Sequence, residues 1–167
     1  GSMLLVVWSG DRASIAAARE RLRGDDTDSR RRLYVRPSGS VLDPDTGPTD
    51  RTIAYDTAAR STAAATAVST DPTTVVDGGL AALETEMATT IDDLRPADGF
   101  EPSELRVCVG SADALLSAHD EEHVFQFLHA LAGRVRDAQG MCHVHLPVAY
   151  DDEHVGTLSP LFDAVIE

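Results

Sequence analysis

The feature that most constrains this chain is the recurrence of short apolar runs, rich in β-branched residues and separated by helical stripes. Residues 3–8 (MLLVVW) form the first run, and continuous apolar character over that length suits a strand buried on both faces. Ser9, Gly10 and Asp11 break it. Residues 13–23 (ASIAAARERLR) then collect strong helix formers, and Gly24 with Asp25, Asp26 and Asp28 stops them. Residues 32–36 (RLYVR) read as a second strand. Strand, helix, strand in that order predicts an α/β fold with a mostly parallel sheet, right-handed crossovers and helices on both faces.

The remainder extends the alternation. Residues 37–50 hold three Pro and two Gly, which marks an irregular loop. Residues 51–55 (RTIAY) suit a strand, and 63–69 (AAATAVS) fit a strand or a helix equally. Leu80, Leu83, Met87, Ile91 and Leu94 recur at intervals of three and four, which places one stripe on a helix over 79–94. Pro96, Gly99 and Pro102 then mark a surface linker. Residues 105–109 (LRVCV) read as a buried strand. Val124, Phe127, Leu128, Leu131 and Val135 give a helix over 120–138, with Asp120, Glu121 and Glu122 in the first turn where the macrodipole favours acids. Gly140 is expected to stop that helix. Residues 141–146 (MCHVHL) form the next strand, 151–158 start a helix, and 161–166 (LFDAVI) close with a strand.

At 167 residues, with 43% apolar and 25% charged residues, this is one soluble globular domain. Gly1 and Ser2 ahead of Met3 read as the remnant of a cleaved tag, leaving the domain over residues 3–167. No stretch is long and apolar enough for a bilayer span, and no secretory pattern follows Met3, so the cytoplasm is the expected compartment. The 28 acids face 14 bases, a net charge of −14, and every base is Arg: the chain has neither Lys nor Asn. So strong a single-sign field repels phosphate backbones and argues against nucleic acid as a partner. A carboxylate coat without lysine stems is the pattern of proteins adapted to high salt. The charge is uneven, with +3 up to Arg36 and −17 beyond it. Arg30, Arg31 and Arg32 are the candidate contacts of the basic end with a protein partner; otherwise they flank a strand.

The run LRVCVGSADALLSAHDEEHVFQFLHALAGRVRDAQGMCHVHLP with the closing LFDAVIE resembles the KaiC-like branch of the RecA superfamily, in particular a haloarchaeal group of small KaiC-related domains. Four features match in order over 105–167: a hydrophobic strand, a Leu-rich helix carrying FLHAL, a central strand and a closing strand. The resemblance implies a RecA-like fold. It also shows what is lost, because an ATPase of this kind needs a glycine-built phosphate loop, a Lys, a hydroxyl on Mg²⁺ and a strand-end Asp. The loop after the first strand, Trp8 to Ser14, holds one Gly and no Lys. Gly110 stands where the metal-site Asp is expected, with Ser111 after it and Asp113 three residues on. The second strand ends in Arg36, Pro37, Ser38 and Gly39 where acids that activate water are expected. The resemblance therefore implies a non-catalytic regulatory or protein-interaction domain without a cofactor, joined to a partner or to itself. The alternative is a nucleotide sensor or weak ATPase using Ser9, Gly10, Arg12, Ser14, Ser111 and Asp113.

Cys142, His143 and His145, with His154 beyond them, invite a metal reading. On a strand, however, His143 and His145 share one face and Cys142 takes the other, so the three do not form a local chelate. Zinc would need donors such as Glu122 or His123 from elsewhere, so no metal is expected. Cys108 and Cys142 read as buried free thiols. Ser111, His143 and Asp113 lack the nucleophile-elbow pattern of a hydrolase. His129 falls beside the helix stripe and reads as a surface residue.

Overall fold

The computed structural model describes residues 1–7, 17, 20–22, 30–37, 50–56, 73–147 and 152–167. Strands β1 (Ser2–Val7), β2 (Arg31–Pro37), β3 (Arg51–Tyr55), β4 (Thr73–Val76), β5 (Leu105–Val109), β6 (Met141–Leu146) and β7 (Ala164–Ile166) form one sheet in the order β4-β3-β2-β5-β6-β1-β7. Every pairing is parallel. Helices α1 (Leu80–Leu94), α2 (Ala112–Ala118), α3 (Glu121–Asp137) and α4 (Glu153–Leu158) accompany it, with a 3₁₀ turn at Ser159–Leu161. This is the parallel α/β architecture of the RecA-like class that the alternating pattern and the resemblance predict.

The two faces of the sheet differ in chemistry. On one, Met3, Leu5, Val7, Leu33, Val35, Ile53, Leu105, Val107, Val109, Cys142, Val144 and Leu146 build the core with the stripes of α1 and α3. Those stripes are the expected ones: Leu83, Met87, Ile91 and Leu94 are buried on α1, and Val124, Phe127, Leu128, Leu131 and Val135 on α3. Glu121 and Glu122 at the start of α3, and Arg134 and Arg136 at its end, complement the helix dipole. The opposite face carries Arg32, Tyr34, Arg106, Cys108, His143 and His145 beside Val6. Leu22, in a helical stretch at 20–22, meets this face through its carbonyl, which accepts from Arg106. Among the described residues, Leu4 and Val6 are the apolar side chains of β1 on this side, and their neighbours on β2, β5 and β6 are mostly polar.

Several boundaries shift. Pro37, expected to open the loop, ends β2, and the rest of that loop up to residue 49 lies outside the described residues. Ser2 belongs to β1, paired with Met141. Strand β4 and helix α2 went unforeseen, because both are short and lack a full period. The region 63–69 lies outside the described residues. The end of α3 is made differently from expectation: Gln139, not Gly140, takes the left-handed conformation at φ 53°. Gly140 is needed for close approach, because a Cβ there would sit 2.9 Å from the Leu105 carbonyl oxygen as β6 enters beside β5. The final strand shortens to three residues because a 3₁₀ turn over Ser159–Leu161, with Pro160 inside it, takes up the start of the expected run.

Candidate functional site

All strands point the same way, so their carboxyl ends gather at one edge, where open α/β sheets bind ligands. At the centre of that edge β5 runs out at Val109, and the Gly110 amide still donates to the Val35 carbonyl of β2 at 2.9 Å. Gly110 thus holds the strand-end position without a side chain to offer. Ser111 follows as the buried N-cap of α2. Asp113 sits in the first turn of α2, half-buried, and its Oδ1 has no hydrogen-bond partner among the described residues. Burial raises the Asp113 pKa, with backbone amides of Ala114 and Asp113 itself opposing the shift. Ionising Asp113 in that environment therefore costs more than ionising an exposed carboxylate. Nearby in the fold, Tyr55 at the end of β3 meets His119 at the end of α2. The Tyr55 hydroxyl lies 2.6 Å from His119 Nε2, and the rings stack with centroids 5.9 Å apart. Burial raises the Tyr55 pKa, so its hydroxyl keeps its proton, and the His119 tautomer sets which of the two groups donates.

Of the residues named for a nucleotide, the structure brings Ser111 and Asp113 together on one turn. Ser9, Gly10, Arg12 and Ser14 lie outside the described residues. The basic trio divides by burial. Arg30 is half-buried, and Arg31 pairs with Glu104 at 3.1 Å. Arg32 is only 5% exposed and faces Asp50 at 3.6 Å, so it belongs to the interior and is not available as a surface contact. Strand alternation turns it onto the sheet's polar face, which the run of three arginines does not reveal.

The histidines also separate. His154 bonds Glu121, and the exposed His123 ring lies 3.7 Å from Asp120; Glu122 is exposed as well. None of these joins the pair on β6. His129 is exposed, as expected. Cys142 points into the apolar core, where burial pushes its thiol pKa far up. The expectation that Cys142 cannot join His143 and His145 therefore holds, but Cys108 does join them. Register decides this: Cys108 pairs with His143 across β5 and β6, and His145 follows on the same face two residues later. All three are buried, with one donor atom from each within 4.8 Å of the others. Sequence spacing could not reveal the convergence, because Cys108 and His143 are brought together only by strand order and register.

The whole chain, residues 1–167, matches a family described as a family of unknown function, DUF7504. The chain belongs to the DUF7504 family. Part of it is also similar to Elongator complex protein 4 of Dictyostelium discoideum, at 36% identity over 63 residues. That stretch is 37% of this DUF7504 chain, which spans only 14% of the length of the Dictyostelium protein. Among the described residues no helix is long and apolar enough to cross a membrane.

Proposed function

We propose that this protein is a non-catalytic RecA-like domain that works by binding another protein chain or a second copy of itself. Gly110 carries the reading, since the position at the end of β5 that would present a carboxylate to a nucleotide-bound metal has no side chain. Two further observations support it. The chain has no Lys to neutralise phosphates in any register, and burial disfavours the charged form of Asp113, the next acid along. The resemblance of residues 105–167 to KaiC-like domains, and the likeness to a protein named as part of a complex, suit a domain kept for assembly. The sheet edges offer the means: Val75 on β4 is 71% exposed and Ile166 on β7 is 39% exposed, and edge strands present unpaired backbone to an incoming strand.

A second reading, a nucleotide sensor, is favoured only by the place of Ser111 and Asp113 at the carboxyl edge. Calorimetry with ATP and Mg²⁺ in molar KCl separates the two. Binding no tighter than millimolar is expected. A micromolar dissociation constant, or phosphate release abolished by Arg12→Ala, overturns the non-catalytic reading. Light scattering of the same sample, with Val75→Asp and Ile166→Asp beside it, should show self-association that one of these substitutions disrupts, or a monomer that captures a partner through the same edges.

A further inference from the structure

We propose that Cys108, His143 and His145 form a binding site for a zinc ion on the polar face of the sheet. The three side chains come from two neighbouring parallel strands, and each offers one donor within 4.8 Å of the other two. Tetrahedral Zn²⁺ with Zn–S near 2.3 Å and Zn–N near 2.0–2.1 Å holds its donors about 3.3–3.6 Å apart. The rings already turn nitrogens toward one another, His143 Nδ1 to His145 Nε2 at 2.8 Å, and cross edge to face. Opening that pair by about half an ångström, with the thiol drawn in from within 4.8 Å, gives the tetrahedral spacing. One thiolate with two imidazoles is a donor set that suits Zn²⁺ better than the oxygen-seeking Mg²⁺ or Ca²⁺. Three protein donors leave one position for water or for a donor elsewhere in the chain.

The surroundings fit the assignment. β6 lies at the middle of the sheet, between β5 and β1, so strand backbone on both sides holds the donors in place. A zinc ion in this place would bind two imidazoles and a thiol that the fold has already withdrawn from water on a sheet face. Binding exchanges one proton per ion, released by the Cys108 thiol. The proton now shared between the rings moves to a ring nitrogen turned away from the metal, so both imidazoles remain neutral. The competing arrangement is a hydrogen-bonded His pair beside a thiol with no ion.

Cobalt distinguishes them. Protein stripped with a chelator and titrated with Co²⁺ in molar KCl should develop, at one equivalent, a thiolate-to-cobalt charge-transfer band in the near ultraviolet and intense tetrahedral bands in the visible. Zn²⁺ should then bleach both. The acidic surface can hold Co²⁺ loosely through oxygen donors, but that coordination yields no thiolate band. Cys108→Ser should abolish the charge-transfer band, whereas Cys142→Ala, on the opposite face, should keep it, as should His129→Gln. Calorimetry in buffers of different ionisation enthalpy should report about one proton released per Zn²⁺. Absence of the band in the wild-type protein overturns the site, and so does a band that persists in Cys108→Ser. If Cys108→Ser fails to fold by circular dichroism, the wild-type titration and Cys142→Ala still decide: a band lost in Cys142→Ala places the ion on the wrong face and refutes the assignment.

Discussion

Asp50 offers the sharpest test of how the polar face is held together. Its side chain is fully buried, and its carboxylate lies 3.6 Å from the Arg32 guanidinium, itself 6% exposed. At that distance and an effective dielectric of about 20, the attraction is about 4–5 kcal/mol, offset in the intact protein by the desolvation of both ions. Asp50→Ala removes the attraction and keeps the cost of the buried arginine, so stability should fall by about 3–5 kcal/mol. For a domain of this size each kcal/mol moves the melting temperature by about 2–4 °C, which predicts a fall of about 6–20 °C. Asp50→Asn should lose nearly as much, because shape is kept but charge is not. The pair Arg32→Met with Asp50→Leu should recover most of the loss, since it removes both charges and leaves apolar volume. Urea unfolding followed by circular dichroism on the wild type, both single variants and the double gives the coupling directly. Two results would refute the reasoning. One is a loss below about 1 kcal/mol for Asp50→Ala. The other is a loss that vanishes in molar salt, because screening reaches surface pairs and not a buried one.

Melting temperature should rise with KCl over the range from about 0.01 M to 1 M, where the screening length falls from about 30 Å to about 3 Å, because the chain carries −14 with few bases beyond Arg36; a flat thermal scan removes the high-salt expectation. Asp113→Asn should raise the melting temperature at pH 7, since burial raises the native Asp113 pKa above its unfolded value near 3.9 and ionisation therefore costs stability as pH rises through that window. The gain should shrink below about pH 4, where both states hold the proton; a destabilised variant at pH 7 contradicts the sign. Leu128→Ala, which truncates a fully buried side chain of α3, should cost about 2–5 kcal/mol in urea unfolding, and a smaller loss would mean that α3 is not packed as described.

Much of the fold was legible because periodicity reports burial. The stripe of α3 and the apolar alternate positions of β5 and β6 were readable one element at a time, since each depends only on its own spacing. Strand β4 and helix α2 were not, because four and seven residues do not complete a pattern that rises above their neighbours. The candidate sites depend on relations between elements. Ser111 and Asp113 could be named from local spacing, and they do share one turn. Cys108 could not be joined to His143 until the order β5-β6 and its register were known. Arg32 misled for a related reason: three consecutive arginines look like a surface patch, yet alternation on β2 turns the last of them, Arg32, onto the sheet's buried polar face, where Asp50 receives it across 18 residues of chain. The pairing of Tyr55 with His119 is equally non-local and left no mark in the spacing.

The seat of β1 between β6 and β7 also has a consequence during synthesis. Its ladder partners begin at Met141 and Ala164, so roughly 130 residues must follow β1 before the nearer partner strand is made. At about 5–20 residues per second that interval lasts about 7–25 s, and the apolar segment at residues 3–7 passes it with neither neighbour present. Strands β2, β3 and β5 can meet earlier, because each is complete before β6 emerges. Assembly is therefore expected to start on the β2 side and finish when β6 arrives between β5 and the waiting first strand, which makes the strand that carries His143 and His145 the one that closes the sheet.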